Sequence, residues 1–286
     1  MSVYDAVVEN GRRYHRYSEG KYLLPNDELE LDRLDIHHAI FTLLLNGRLH
    51  MAPLIEPQRI LDIGTGTGVW AIDMADRYPE AEVIGTDLSP VPWANSHPNC
   101  RFEVDDVELD WVFEKDSFDY IHSRILIPSI RDWPRYLRQM HEHIRPGGYV
   151  EIIEMSSDIA SDDDSIPLDS GIRRVFDLWR SITKGAGFKV LGNDNGMELV
   201  RDLEMAGFVD VKVFAIKQPW TPWPGSPRLK KVGAYMLSNS RNAILSFCLA
   251  LFTRYGDMSS EQATALCDEA FMSIVANRSM NLYNFV

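Results

Sequence analysis

Between residues 57 and about 155 the chain alternates short apolar runs with amphipathic stretches. That alternation predicts an α/β fold with a mostly parallel sheet. Strands are expected at 60–63, 82–86, 101–104, 118–121 and 149–153. Helices are expected at 69–78 and 134–144, with Arg145-Pro146-Gly147-Gly148 as a turn. Before this region, residues 1–56 read as an N-terminal helical lid. Its helix starts at Pro25-Asn26-Asp27 and runs through Asp35, Ile40, Phe41 and Leu45.

After residue 155 the pattern changes. An acidic loop at 158–164 reads as solvated, and helices are expected at 171–184 and 196–206. The alternating run 209–216 predicts a further strand, and the sheet as a whole is expected to be mostly parallel with an antiparallel edge. Pro219-Trp220-Thr221-Pro222-Trp223-Pro224 is a stiff connector. Further helices follow, the last beginning at Ser259 with Gln262 as capping-box partner, and 282–286 predicts a closing edge strand. The domain expectation is a lid at 1–56 and one catalytic domain at 57–286. Helical insertions at about 158–195 and about 221–280 would roof a substrate pocket.

Composition narrows the function. The 286 residues carry a net charge of −13, which argues against binding a phosphate backbone. Three cysteines, Cys100, Cys248 and Cys267, lie far apart and offer neither zinc spacing nor a disulfide framework. The first residues lack an apolar signal core, and the longest apolar-rich run, 243–252, is too short to span a bilayer. The expectation is a soluble cytoplasmic protein without nucleic-acid or membrane partners, or a nuclear one if it is a regulator.

The chemistry concentrates at the first strand-to-helix turn. Asp62 precedes three alternating glycines, Gly64, Gly66 and Gly68, and Asp87 ends the second strand. Glycines let a ligand approach the backbone, and an acid at the second strand's tip suits a ribose diol. Asp62 before the first glycine would repel a pyrophosphate and suit a cationic amino group. S-adenosylmethionine (SAM) has such a group and no phosphate. The stretch 59–90 resembles motif I and the acidic loop of class I SAM-dependent methyltransferases, which implies their Rossmann-like sheet. The resemblance implies that Asp106, or its neighbour Asp105, binds the adenine amino group with the Val107 amide nearby. It also implies that the residue past the fourth strand meets the methionine part of SAM through its backbone, here His122 or Ser123. The full expected cofactor set is Tyr14, Tyr22, Asp62, Gly64, Thr65, Gly66, Gly68, Asp87, Leu88, Asp106, Val107, His122 and Ser123.

Two readings of His122 stay open: a base beside the transferred methyl, or a histidine packed at the sheet end. Arg124 either binds a substrate carboxylate or pairs with a neighbouring acid. His37 and His38 lie on the N-terminal helix, as roof lining or as packing. Glu154 either orients an acceptor hydroxyl or is structural, and Trp220, Trp223 and Tyr235 are candidate stacking surfaces.

Glu9-Asn10-Gly11-Arg12-Arg13-Tyr14-His15, the run from Gly20 to Asp27, Asp32-Arg33-Leu34-Asp35, Asp132-Trp133-Pro134 and Pro222-Trp223-Pro224 resemble the LaeA-like branch of fungal methyltransferases. The match covers nearly the whole chain. A long polar N-terminal extension and a basic tail are not seen, which favours a stand-alone enzyme of secondary metabolism. The expected activity is methyl transfer from SAM to an oxygen of a small-molecule acceptor, that of a hydroxyl, a phenol or a carboxylate. The alternatives are a regulatory protein methyltransferase and a SAM-bound non-catalytic partner protein.

Overall fold

The computed structural model describes residues 6–16, 22–91, 97–192, 196–277 and 280–286. It opens on a hairpin in which β1 (Ala6–Glu9) and β2 (Arg12–His15) pair antiparallel. Asn10 and Gly11 make the two-residue turn with φ of 53° and 74°, the sense that matches strand twist. The N-terminal segment, expected to be helical, is therefore a hairpin plus a helix. Helix α1 (Glu28–Leu44) is capped by Asp27, whose carboxylate accepts the Glu30 amide and the Arg12 guanidinium, the latter at 2.6 Å. One charged cap thus ties hairpin to helix. The buried face of α1 starts polar, with Glu30, Arg33 and His37, and ends apolar, with Ile40, Phe41 and Leu44.

The central unit comprises β3 (Arg59–Ile63), α2 (Val69–Arg77), β4 (Glu82–Asp87), β5 (Cys100–Val104), β6 (Phe118–Arg124), α3 (Trp133–His143) and β7 (Ile144–Ile153). The strands stand in the order β5-β4-β3-β6-β7, all parallel. Ile60, Val83 and Tyr120 pack toward α2 on one face, and Leu61, Ile84 and Ile121 toward α3 on the other. This is the Rossmann-like α/β sheet of class I methyltransferases. The expected turn at Arg145–Gly148 is absorbed into β7, where the register with β6 shifts between Phe118 and Tyr120.

The expected antiparallel edge is corrected among the described residues. The alternating run 209–216 forms no strand: Val209 is 82% exposed and Asp210 takes φ 54°, which interrupts the extended backbone. Side-chain alternation offers a face, but a strand also needs a backbone partner. The antiparallel pairing lies elsewhere. After α4 (Gly171–Gly185) and α5 (Met197–Ala206), β8 (Lys217–Pro219) leads into α6 (Pro227–Tyr255) and α7 (Ser260–Ala276). The chain then returns as β9 (Tyr283–Phe285) to pair with β8 in a small separate sheet. The acidic loop is not merely solvated, because Asp162 accepts from Lys217 and the Tyr283 hydroxyl, and Asp163 accepts from Asn281.

Helix α6 packs on α1, α4 and α7, and their shared core includes Phe41, Val175, Met236, Phe252 and Ile274. No helix among the described residues is long and apolar enough to cross a membrane. Ser259 caps α7 in a reciprocal box with Gln262. Ser259→Ala is expected to cost about 1 kcal/mol and to lower the urea midpoint; an unchanged midpoint would show that the cap does not form in solution.

Candidate active site

β3 has β4 on one side and β6 on the other, so connections leave it in opposite directions and a crevice opens at the strands' carboxyl ends. There the turn after β3 holds Gly64, Gly66 and Gly68 at φ of 67°, 60° and 80°, conformations that glycine adopts without Cβ strain. Asp87, at the end of β4, accepts the Gly66 amide and the Ser89 amide, each at 2.9 Å. The second strand's acid thereby fixes the first strand's turn. Burial pushes the Asp87 carboxyl up to about 6.

The turn opens onto a cleft of about 1030 Å³ lined by Tyr22, Gly64, Thr65, Gly66, Asp87, Leu88, Asp106 and Val107. Burial keeps the Tyr22 phenol protonated. Carboxylates at Asp87 and Asp106 suit ribose hydroxyls and an adenine amino group and oppose a pyrophosphate. The residues therefore fit a nucleoside without phosphates.

Several expected site residues do not reach this cleft. His122 lies within β6 rather than beyond it, because the strand continues to Arg124. Its ring is 1% exposed and stacks on Trp70 at 3.8 Å. Its Nδ1 donates to Asp62 Oδ1 at 2.7 Å. A base near the transferred methyl is therefore not found at His122. Asp62 is turned inward as well, its other oxygen accepting from Thr65 Oγ1 at 2.6 Å; it shapes the cleft through Thr65. Ser123 faces α3 and accepts the Tyr136 hydroxyl. Tyr14 is buried beneath the Arg254 guanidinium, and burial raises its phenol to about 12. Gly68 caps α2, and a Cβ there would meet Phe102 at 2.7 Å.

Arg124 does line the cleft, with its guanidinium 5.0 Å from the Phe41 ring centroid. Arg33 and His37 of α1 join it there. Burial, then Arg33 and Arg124, hold the His37 imidazolium well below its usual range. His38 instead pairs with Asp73 at 2.9 Å.

Behind Arg33, His37 and Ile125 lies a second cavity of about 850 Å³, walled by Phe176, Trp179, Trp220, Met236 and Phe247. Glu154, just past β7, enters this cavity. Its Oε1 accepts the Leu126 and Ile127 amides at 2.7 and 3.1 Å, yet burial pushes the carboxyl up to about 8. Glu151 is structural, accepting the Met51 and Ala52 amides.

Arg33 as a shared wall of both cavities was missed by the sequence reading. Its signal is the spacing of Glu30, Arg33 and His37, a polar stripe continuing into the apolar stripe of α1. Polar side chains on a buried helix face need partners, and such a stripe marks either an ion-pair network or a site.

A family profile described as a methyltransferase domain matches residues 36–213. The chain is 38% identical to Methyltransferase pytC of Aspergillus terreus, with 100% of this chain and 87% of that protein covered. It is 35% identical to Secondary metabolism regulator LAE1 of Cochliobolus heterostrophus, covering 97% and 91%. It is 33% identical to Protein-methionine methyltransferase laeA of Emericella nidulans, covering 97% and 74%. The matches to these relatives cover nearly the whole chain, and the chain belongs to the LaeA-like branch of the class I SAM-dependent methyltransferases.

Proposed function

We propose that this enzyme methylates an oxygen of a small-molecule acceptor, in the cytoplasm, as a step of secondary metabolism. SAM supplies a methyl group already activated on sulfur. Asp87 binds the ribose, Asp106 and the Val107 amide read the adenine, and Gly64, Thr65 and Gly66 pass beneath the methionine portion. Tyr22, Arg33 and His37 belong to the N-terminal segment, which acts as a lid and excludes water. The observation carrying this reading is the second cavity, apolar, lined by α4 and α6, and bordering the cofactor cleft along Arg33, His37 and Ile125. Holding acceptor and methyl in line is where such a site gains most. Nucleic acid is not an expected partner at a net charge of −13.

The names of two relatives favour a second reading, a regulatory protein methyltransferase. A peptide would need an open groove, whereas the aromatic walls of the second cavity suit a compact acceptor. Filling that cavity distinguishes the two. Ala243 lines it at 8% exposure. Ala243→Phe is expected to lower turnover of small acceptors by roughly 10-fold or more, while overpacking costs about 1–3 kcal/mol and SAM affinity by calorimetry stays unchanged. Undiminished turnover in a folded variant would remove the cavity from the mechanism.

A further inference from the structure

The boundary between the two cavities is built from cations. Arg33 is 2% exposed and lines both spaces. Its Nε and Nη2 donate to Glu30 at 2.6–3.0 Å, and its Nη1 is buried without a partner among the described residues. The guanidinium carbon lies 5.3 Å from the ring centroid of Phe247, a wall of the acceptor cavity. Arg124 reaches the boundary from the end of β6; among the described residues no carboxylate forms an ion pair with it, and Asp62, committed to His122 and Thr65, acts on it only at longer range. A buried cation with unused donors is costly until an anion completes it.

The same boundary lacks an effective proton acceptor among the described residues. His122 is sealed against Trp70. Glu154 already accepts two amides, and burial holds its carboxyl protonated up to about pH 8. Protonating His37 would place a third cation beside Arg33 and Arg124. A neutral hydroxyl acceptor has to lose a proton that none of these groups is placed to take, whereas a carboxylate needs no base.

We infer that the acceptor is a hydrophobic carboxylic acid whose carboxylate is gripped by Arg33 Nη1 and Arg124, and that the product is its methyl ester. This rests on the small-molecule reading above. In the step, a carboxylate oxygen forms the new O–C bond while the methyl C–S bond breaks. The electron pair of that bond goes to sulfur. An anion and a sulfonium become a neutral ester and a neutral thioether, and no proton moves. The methionine carboxylate of SAM offers the same chemical group from the cofactor side, so the test separates the two sources.

Full-length protein saturated with S-adenosylhomocysteine is titrated calorimetrically with phenylacetate and with phenylacetamide. Phenylacetate is expected to bind about 10–100-fold more tightly, the range of a charge-assisted hydrogen bond. Arg124→Gln should erase that preference and leave S-adenosylhomocysteine affinity nearly unchanged. Arg124→Lys, which keeps the charge, should retain part of it and guards against a folding artefact. Equal binding of the two probes by the wild-type protein would overturn the inference. So would an Arg124→Gln variant that loses S-adenosylhomocysteine affinity but binds methylthioadenosine, which has no carboxylate, as the wild type does. That result assigns the arginine to the cofactor. With SAM present, methylation of para-cresol in place of phenylacetate overturns the carboxylate class and leaves the methyltransferase reading standing. The Ala243→Phe experiment fails independently of all three.

Discussion

Asp62→Ala is expected to destabilise the fold by about 3–5 kcal/mol, the usual consequence of removing one partner from a buried pair. Asp62 is 3% exposed and serves two buried groups, His122 Nδ1 at 2.7 Å and Thr65 Oγ1 at 2.6 Å. Alanine leaves both without an acceptor and opens a void against the Trp70–His122 stack. Cofactor affinity should fall as well, because Thr65 lines the cleft and loses the contact that sets its rotamer. Chemical denaturation and calorimetry read the two effects. A variant with wild-type stability would show that the β3–β6 network contributes nothing net.

Asp87→Ala is expected to weaken SAM and S-adenosylhomocysteine binding by about 10–100-fold, the worth of a charge-assisted hydrogen bond. Part of the loss comes from the turn, since Asp87 also holds the Gly66 amide. The wild-type protein carries a pH signature of the same group. Burial raises the Asp87 carboxyl from 3.8 to about 6. For the unliganded fold, a raised acid contributes stability that is fully present below 3.8 and lost as pH rises through about 6. Cofactor binding runs the other way, because ribose hydroxyls donate to the ionised carboxylate. SAM affinity should therefore decline as pH falls through about 6, and Asp87→Ala should flatten that dependence. Unchanged affinity in the variant would remove Asp87 from the site.

The first strand, turn and helix were legible because several local signals agree there. Ile60 to Ile63 is apolar, the glycines need positive φ, and Asp87 closes the next strand. The Ser259–Gln262 cap was legible for the same reason, since its partners lie three residues apart. The Asn10-Gly11 hairpin is also written locally, in a two-residue turn that both residues enter at positive φ. The run 209–216 shows the opposite failure, an alternation that meets a backbone partner at its last residue, where Ile216 and Val286 exchange amide hydrogen bonds, and forms no strand before it.

The roles of His122 and Arg33 were not local questions. His122 was expected at a strand end, but β6 runs two residues further; positions 122 and 124 share one face, and 122 is covered by Trp70 of α2 while 124, at the strand's end, lines the cleft. Arg33 borders both cavities because α6 packs across α1 and brings Asn239 and Phe247 to it from more than two hundred positions along the chain. By itself the sequence determined the family, the parallel sheet and the acids Asp87 and Asp106 that line the cleft, since glycine conformation, strand pattern and capping act over a few residues. The tertiary structure decided which polar side chains are sealed, which face a cavity, and where the two cavities meet. Burial and long-range packing set those outcomes, and neither is encoded in the spacing of any one segment.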